Sequence, residues 1–201
     1  MGSETHRGWG GRATITVLAA GTALTIAGCG GSSSSGFGPA AEPAESPPIT
    51  VKPAGKVVEI GAGAEGLVFD EASNYVAIGL REGYRLAFVD PRKMSIQFQV
   101  LIPNPVRHLA VSRKGVVAVP AESANSVFEV SATLGVVAEV PAGEHPHDAA
   151  YADGKLFTAD EVSDAVSVIR DGEVIESVPA PVQPGGIATS GNRYLALIAV
   201  S

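Results

Sequence analysis

The chain has 201 residues, with 14 Lys and Arg against 21 Asp and Glu, and a formal net charge of −7. That acidity speaks against nucleic acid or an anionic lipid surface as the main partner. One cysteine means no disulfide within the chain, so an ordinary apolar core has to supply the stability.

Residues 1–12 carry His6, Arg7 and Arg12 against a single acid, Glu4, and residues 13–27 are uncharged. This is the charged, apolar and small-residue order of a secretory signal. The apolar run is too short to span a bilayer comfortably. It ends in Ile26-Ala27-Gly28-Cys29, which resembles the lipobox of bacterial lipoproteins. The resemblance implies removal of residues 1–28, a diacylglycerol thioether on Cys29 and a palmitate-type acyl chain on the new amine. It also implies anchoring on the extracytoplasmic side of the cell membrane. An ordinary secreted protein with a stray cysteine is the alternative. Each buried methylene contributes about 0.8 kcal/mol, so two or three chains hold firmly where one does not. Loss of Glu4, Arg7 and Arg12 would take the net charge from −7 to −8.

Residues 29–55 read as a linker. A Gly/Ser stretch from Gly30 to Gly36 is followed by Pro39, Pro43, Pro47, Pro48 and Pro53. The first part is expected to be a coil and the second a stiffer spacer, reaching about 30 Å coiled and at most about 80 Å extended.

From Lys56 to Ser201 short apolar runs alternate with polar residues at period two, the pattern of strands. Gly-Leu-Val-Phe at Gly66, His-Leu-Ala-Val at His108, Asp-Ala-Ala-Tyr at Asp148 and Gly-Ile-Ala-Thr at Gly186 follow one another at 42, 40 and 38 residues. That period, with four strands per unit, predicts an all-β propeller of four-stranded antiparallel blades. In the first unit strands are expected at 67–70, 75–79, 86–90 and 96–101. In the second they fall at 109–112, 116–120, 126–130 and 136–140. In the third they fall at 147–151, 155–159, 165–170 and 173–178. Asp153-Gly154 and Asp171-Gly172 are hairpin turns. The third unit, through Pro146-His147-Asp148-Ala149-Ala150-Tyr151, Asp153-Gly154-Lys155-Leu156-Phe157-Thr158 and Asp164-Ala165-Val166-Ser167-Val168-Ile169, resembles the YVTN-type β-propeller repeat. It departs from the family signature in carrying Leu156-Phe157-Thr158-Ala159. The resemblance spans residues 66–201 and implies a fold that hosts many functions.

The ring is expected to be incomplete, about three and a half blades, because a fourth unit stops in mid-strand at residues 196–201. Residues 57–60 look like the outer strand of a final blade. A fragment of a longer chain is the favoured expectation, and a half-ring that closes by dimerisation is the alternative. Open blade edges are expected to self-associate.

The segments before each first strand and the loops between second and third strands share one propeller face. Glu65, Arg107, His108, His147, Asp148 and Asp160 are the expected ligand-binding residues there, with Gly66, Gly185 and Gly186 at equivalent positions. Arg81, Glu82, Glu122 and Glu161 add to the same loops. His108, His145 and His147 are candidate ligands for zinc or copper; they can equally satisfy turn backbone groups. No cofactor is required beyond lipid on Cys29. No catalytic residue stands out: there is no Gly-x-Ser-x-Gly, and Gly61-Ala62-Gly63-Ala64-Glu65-Gly66 leads into a strand instead of a helix. The favoured reading is a lipid-anchored binding or scaffold module for a protein, peptide or envelope component. The alternative is a propeller enzyme of lyase, lactonase or copper-site type. Trp9 is the only tryptophan, so the tryptophan-docked quinone-dependent dehydrogenase propellers are disfavoured.

Overall fold

Residues with left-handed backbone punctuate the chain and set where each strand ends. Asp153 and Gly154 (φ 48° and 68°) and Asp171 and Gly172 (φ 53° and 82°) form two-residue turns with positive φ at both centres, whose twist matches that of the strands they join. The computed structural model describes residues 47–190 and 194–199, the latter as backbone only. The signal, Cys29 and the first part of the linker lie outside the described residues. Residues 47–57 are exposed and belong to no strand.

The first blade is β1 (Ala64–Asp70), β2 (Tyr75–Leu80), β3 (Arg85–Asp90) and β4 (Ser95–Leu101). The second is β5 (Ala110–Val111), β6 (Val116–Ala121), β7 (Ser126–Ser131) and β8 (Gly135–Pro141). The third is β9 (Pro146–Ala152), β10 (Lys155–Asp160), β11 (Ala165–Arg170) and β12 (Glu173–Pro179). β13 (Pro184–Ser190) and β14 (Tyr194–Ala199) pair as the start of a fourth. Every pairing is antiparallel and follows chain order. β1, β5, β9 and β13 lie beside one another in turn, while β8 and β12 touch on the outside. This is the propeller arrangement. Among the described residues the only helical element is the 3₁₀ turn Glu122–Ala124, and no helix is long and apolar enough to cross a membrane.

The core is sandwiched between blades. Leu86 and Phe88 of the first blade pack on Val117, Val119, Phe128 and Val130 of the second. Ala118, Val127 and Val140 on the second blade's other face pack on Leu156 and Ile169 of the third. Both faces of β6 are therefore buried, which is why Val116–Ala121 is apolar throughout instead of alternating. Full burial of each such Val, Leu or Phe contributes about 1.5–3 kcal/mol. A smaller cluster of Ala150, Ala159, Val166 and Ile187 joins the third blade to β13.

Two backbone devices shape the blades and set their spacing, one within each blade and one between blades. Tyr84, Asn125 and Asp164 each adopt a left-handed conformation (φ 55°, 53° and 48°) just before the third strand of their blade. Their carbonyls accept the N–H groups of Ile102, Ala142 and Ala180 at 2.8, 3.0 and 2.9 Å, so each fourth strand ends on its own blade's middle loop. The other device is a close approach: a Cβ built on Gly66 would sit 2.0 Å from the carbonyl oxygen of Arg107. Only glycine lets the first blade's inner strand lie that near the second.

Two expected strands differ. β5 spans two residues, not 109–112, and His108 precedes it. In the register Ala110↔Ala118, Pro120 falls opposite His108 and has no N–H to offer. Residues 57–60 carry no strand pairing among the described residues. The fourth unit's second strand pairs normally with β13, from Ser190↔Tyr194 to Pro184↔Ala199.

Candidate binding face

At the end of the blades where the first strands begin, an ionic chain crosses from the first blade to the third. Glu65, near the start of β1, accepts from Arg81 Nη1 at 3.4 Å and from Arg107 Nε at 3.2 Å. Arg107 reaches on to Glu122 Oε1, in the loop after β6, at 3.4 Å. Glu122 Oε2 lies 3.6 Å from His145 Nε2, and His145 Nδ1 is bonded to Glu161 Oε2, in the loop after β10, at 3.0 Å. Arg107 is the pivot: its side chain is only 11 % exposed, so its two carboxylate contacts are shielded from water more than ordinary surface pairs.

Two histidines at adjacent positions of the repeat, His108 equivalent to Asp148 and His147 to Arg107, meet across blades. The rings of His108 and His147 are 4.6 Å apart and tilted by 45°. Burial, with the nearby His147 and Arg107 charges, lowers the His108 pKa against the opposing pull of Asp148 and Glu65. His147 Nδ1 is 2.6 Å from the carbonyl of Gly185. A carbonyl only accepts, so Nδ1 carries the proton and the tautomer of the neutral ring is fixed. Its Nε2 faces Glu122 Oε1 at 3.8 Å.

Glu65, Arg107, His108 and His147 thus come together as the repeat spacing predicts. Asp148 borders them but is occupied: Oδ1 accepts from Ala149 N at 2.8 Å and Oδ2 from Ile187 N at 3.1 Å, tying β9 to β13. Asp160 is withdrawn from the face. It is fully buried, accepting from Thr158 Oγ1 at 2.7 Å and Ser167 Oγ at 2.6 Å. Burial raises its pKa, opposed by those hydrogen bonds. The pairing of β10 with β9 shifts register between Ala159 and Asp160, and that irregularity lies where the strand meets the loop. His145 contacts two carboxylates, but among the described residues no group of three or more His, Cys, Asp or Glu side chains is arranged to hold a metal ion.

Sequence reading missed the residues that hold the face in shape. His145 and Gln183 are themselves left-handed, at φ 57° and 50°. Their N–H groups are taken by the side chains of Asn125 and Asp164, each at 2.9 Å. The signal was there: Asn125 and Asp164 stand 39 residues apart, at the same place before a third strand. Both residue types tolerate left-handed backbone and accept nearby N–H groups.

No family model matches the chain, and no curated protein matches its sequence. Solved structures do match its fold. Hydrazine synthase from Kuenenia stuttgartiensis matches with a TM-score of 0.64 at 18% identity, over 74% of this chain and 45% of that one. Virginiamycin B lyase from Staphylococcus aureus matches with a TM-score of 0.59 at 16% identity, over 68% of this chain and 48% of that one. A functionally unknown protein from Desulfotomaculum acetoxidans matches with a TM-score of 0.60 at 15% identity, over 68% of this chain and 49% of that one. The chain spans about half the length of these structures. With its blades and strand order it is a β-propeller protein, a class that includes both enzymes and binding proteins.

Proposed function

We propose that this protein is an extracytoplasmic lipoprotein, anchored through Cys29, whose propeller holds a protein or peptide partner rich in basic side chains. One observation carries the binding half of the reading: the acid excess at the end bearing the ionic chain. Glu65, Glu82, Glu122, Glu144, Glu161 and Asp164 gather there against Arg81, Arg85 and Arg107. Glu82 and Glu144 are exposed, as is the ring of Tyr84 in the same loop as Glu82. A surplus of one sign steers a partner of the other and speeds encounter in a salt-dependent way. The Ile26-Ala27-Gly28-Cys29 ending and the Gly/Ser/Pro stretch behind it support the anchor.

Titration of the full-length protein with a Lys-rich decapeptide tests the binding half. The expected result is binding that weakens steeply as salt is raised and that falls when Glu82→Gln and Glu144→Gln are combined. Binding indifferent to both salt and the double variant would refute it. Cys29→Ser tests the anchor: it is expected to release the protein from the membrane fraction or leave it uncleaved, and normal processing with unchanged membrane retention would refute it.

A second reading has its own observation. His147, with Nδ1 engaged by Gly185 and Nε2 turned toward Glu122, has the fixed-tautomer geometry of a general base. It favours the enzyme alternative of lyase or lactonase type. Turnover of an ester or lactone probe that disappears in His147→Gln with the fold intact would establish it.

A further inference from the structure

Away from the ionic face, at the opposite ends of the inner strands, a cleft opens between the second and third blades. Its volume is about 610 Å³. The β5–β6 turn, carrying Arg113 and Lys114, forms one lip, and the β9–β10 turn at Asp153-Gly154 forms the other. A second pocket of about 360 Å³ adjoins it, with Glu129, Tyr151 and Gly154 in the lining of both. The size of the cleft is that of a site for a small organic molecule.

The chemistry along the groove is ordered. Arg113 and Lys114 are exposed and make no hydrogen bond or ion pair with any described residue. In the middle Tyr151 Oη donates to Glu129 Oε1 at 2.9 Å, bridging the two blades. Burial and the neighbouring carboxylate push the Tyr151 pKa up, so its hydroxyl stays protonated and keeps Glu129 fixed as an acceptor. Half-buried Val111 and Val116 give the cleft an apolar wall, whereas the second pocket is bordered by Arg170 and Asp171 and its Val140, Leu156 and Ile169 are buried in the interblade core. A pair of uncommitted cations, a held carboxylate and an apolar wall thus line one cleft.

We infer that this groove binds a short zwitterionic peptide carrying an apolar side chain. Its C-terminal carboxylate sits on Arg113 and Lys114, its ammonium on Glu129, and its side chain against Val111 and Val116. The reading is independent of the partner proposed for the ionic face: the residues are different and lie at the other end of the blades.

Isothermal titration of the full-length protein with the dipeptide Leu-Leu tests it, with N-acetyl-Leu-Leu and Leu-Leu amide as blocked probes. Leu-Leu is expected to bind, and each blocked probe to bind at least about tenfold more weakly, since each loses one charge-assisted contact. Glu129→Gln keeps an acceptor for Tyr151 and is expected to erase the penalty for acetylation alone. Arg113→Ala with Lys114→Ala, in an exposed turn, is expected to erase the penalty for amidation alone. Unchanged thermal unfolding shows that either variant is folded. Absence of Leu-Leu binding at millimolar concentration, or equal affinity for all three probes, overturns the inference.

Discussion

Replacing Gly66 by alanine tests the close approach on which the blade spacing depends. The added methyl would lie 2.0 Å from the Arg107 carbonyl oxygen, 3.0 Å from Leu109 Cγ and 3.1 Å from the Arg107 carbonyl carbon. Ordinary carbon–oxygen contact needs a little over 3 Å, so the two backbones must separate by about 1 Å. Neither is a flexible side-chain end that can swing away. Overpacking of this kind costs about 1–3 kcal/mol, with backbone conflicts at the upper end. Arg107 carries the 3.2 and 3.4 Å contacts to Glu65 and Glu122, so displacing it also loosens the ionic chain. Gly83→Ala is the control: nothing lies within 4 Å of its Cβ, and only its φ of 80° penalises the change. That leaves a backbone cost of about 1 kcal/mol. Chemical denaturation of both variants should give Gly66→Ala the larger loss by about 1–2 kcal/mol. Its thermal midpoint should drop by about 3–10 °C. Equal losses, or a milder one for Gly66→Ala, would show that the blades do not meet at this glycine.

Asp148→Ala should cost about 1–3 kcal/mol in denaturation, because the N–H of largely buried Ile187 loses its acceptor. His108 binds its proton less readily in the folded state, so its contribution to stability is complete above its ordinary pKa of 6.5 and is lost as pH falls through the lowered value. His108→Gln should therefore flatten the acid side of the stability–pH curve by up to about 1.4 kcal/mol per pH unit. Asp160 has the opposite sign: its raised pKa gives a contribution complete below 3.8 and lost as pH rises through the folded value. The stability of the native protein relative to Asp160→Asn should thus decline as pH rises above 3.8, as read by urea titrations, and an increase would contradict the assignment.

The repeat made the fold legible because propeller blades differ little in length. Ala165–Arg170 falls where the alternation and the Asp171-Gly172 turn place it, and most other strands agree to within a residue or two. β5 was misread because its shortness is decided by its partner: Pro120 lies in the neighbouring strand, and local pattern carries no trace of it. On the candidate face, the 42-residue spacing of Glu65 and Arg107 announced their meeting. Asp160 was misjudged for a different reason. Its sequence position is that of a loop carboxylate, but β10 runs through it and its side chain turns between Thr158 and Ser167. Inward or outward aim at a strand end depends on register, which period-two alternation leaves open where an irregularity intervenes. Asn125 and Asp164 were readable as turn residues, but their bonds to His145 and Gln183 depend on two loops meeting in space.

The most direct test of the account compares charge reversal at the two ends of the propeller. Glu82→Lys with Glu144→Lys reverses exposed acids on the ionic face, and Asp153→Lys with Asp171→Lys makes the same change in net charge in turns at the other end. Binding of the Lys-rich decapeptide would be followed by fluorescence anisotropy at fixed salt. The first pair is predicted to abolish binding and the second to leave it within about twofold, since screening confines each charge to its neighbourhood. Equal weakening by both pairs would mean that net charge alone attracts the peptide, and the assignment of a recognition face to Glu65, Arg107, Glu122 and their neighbours would fall.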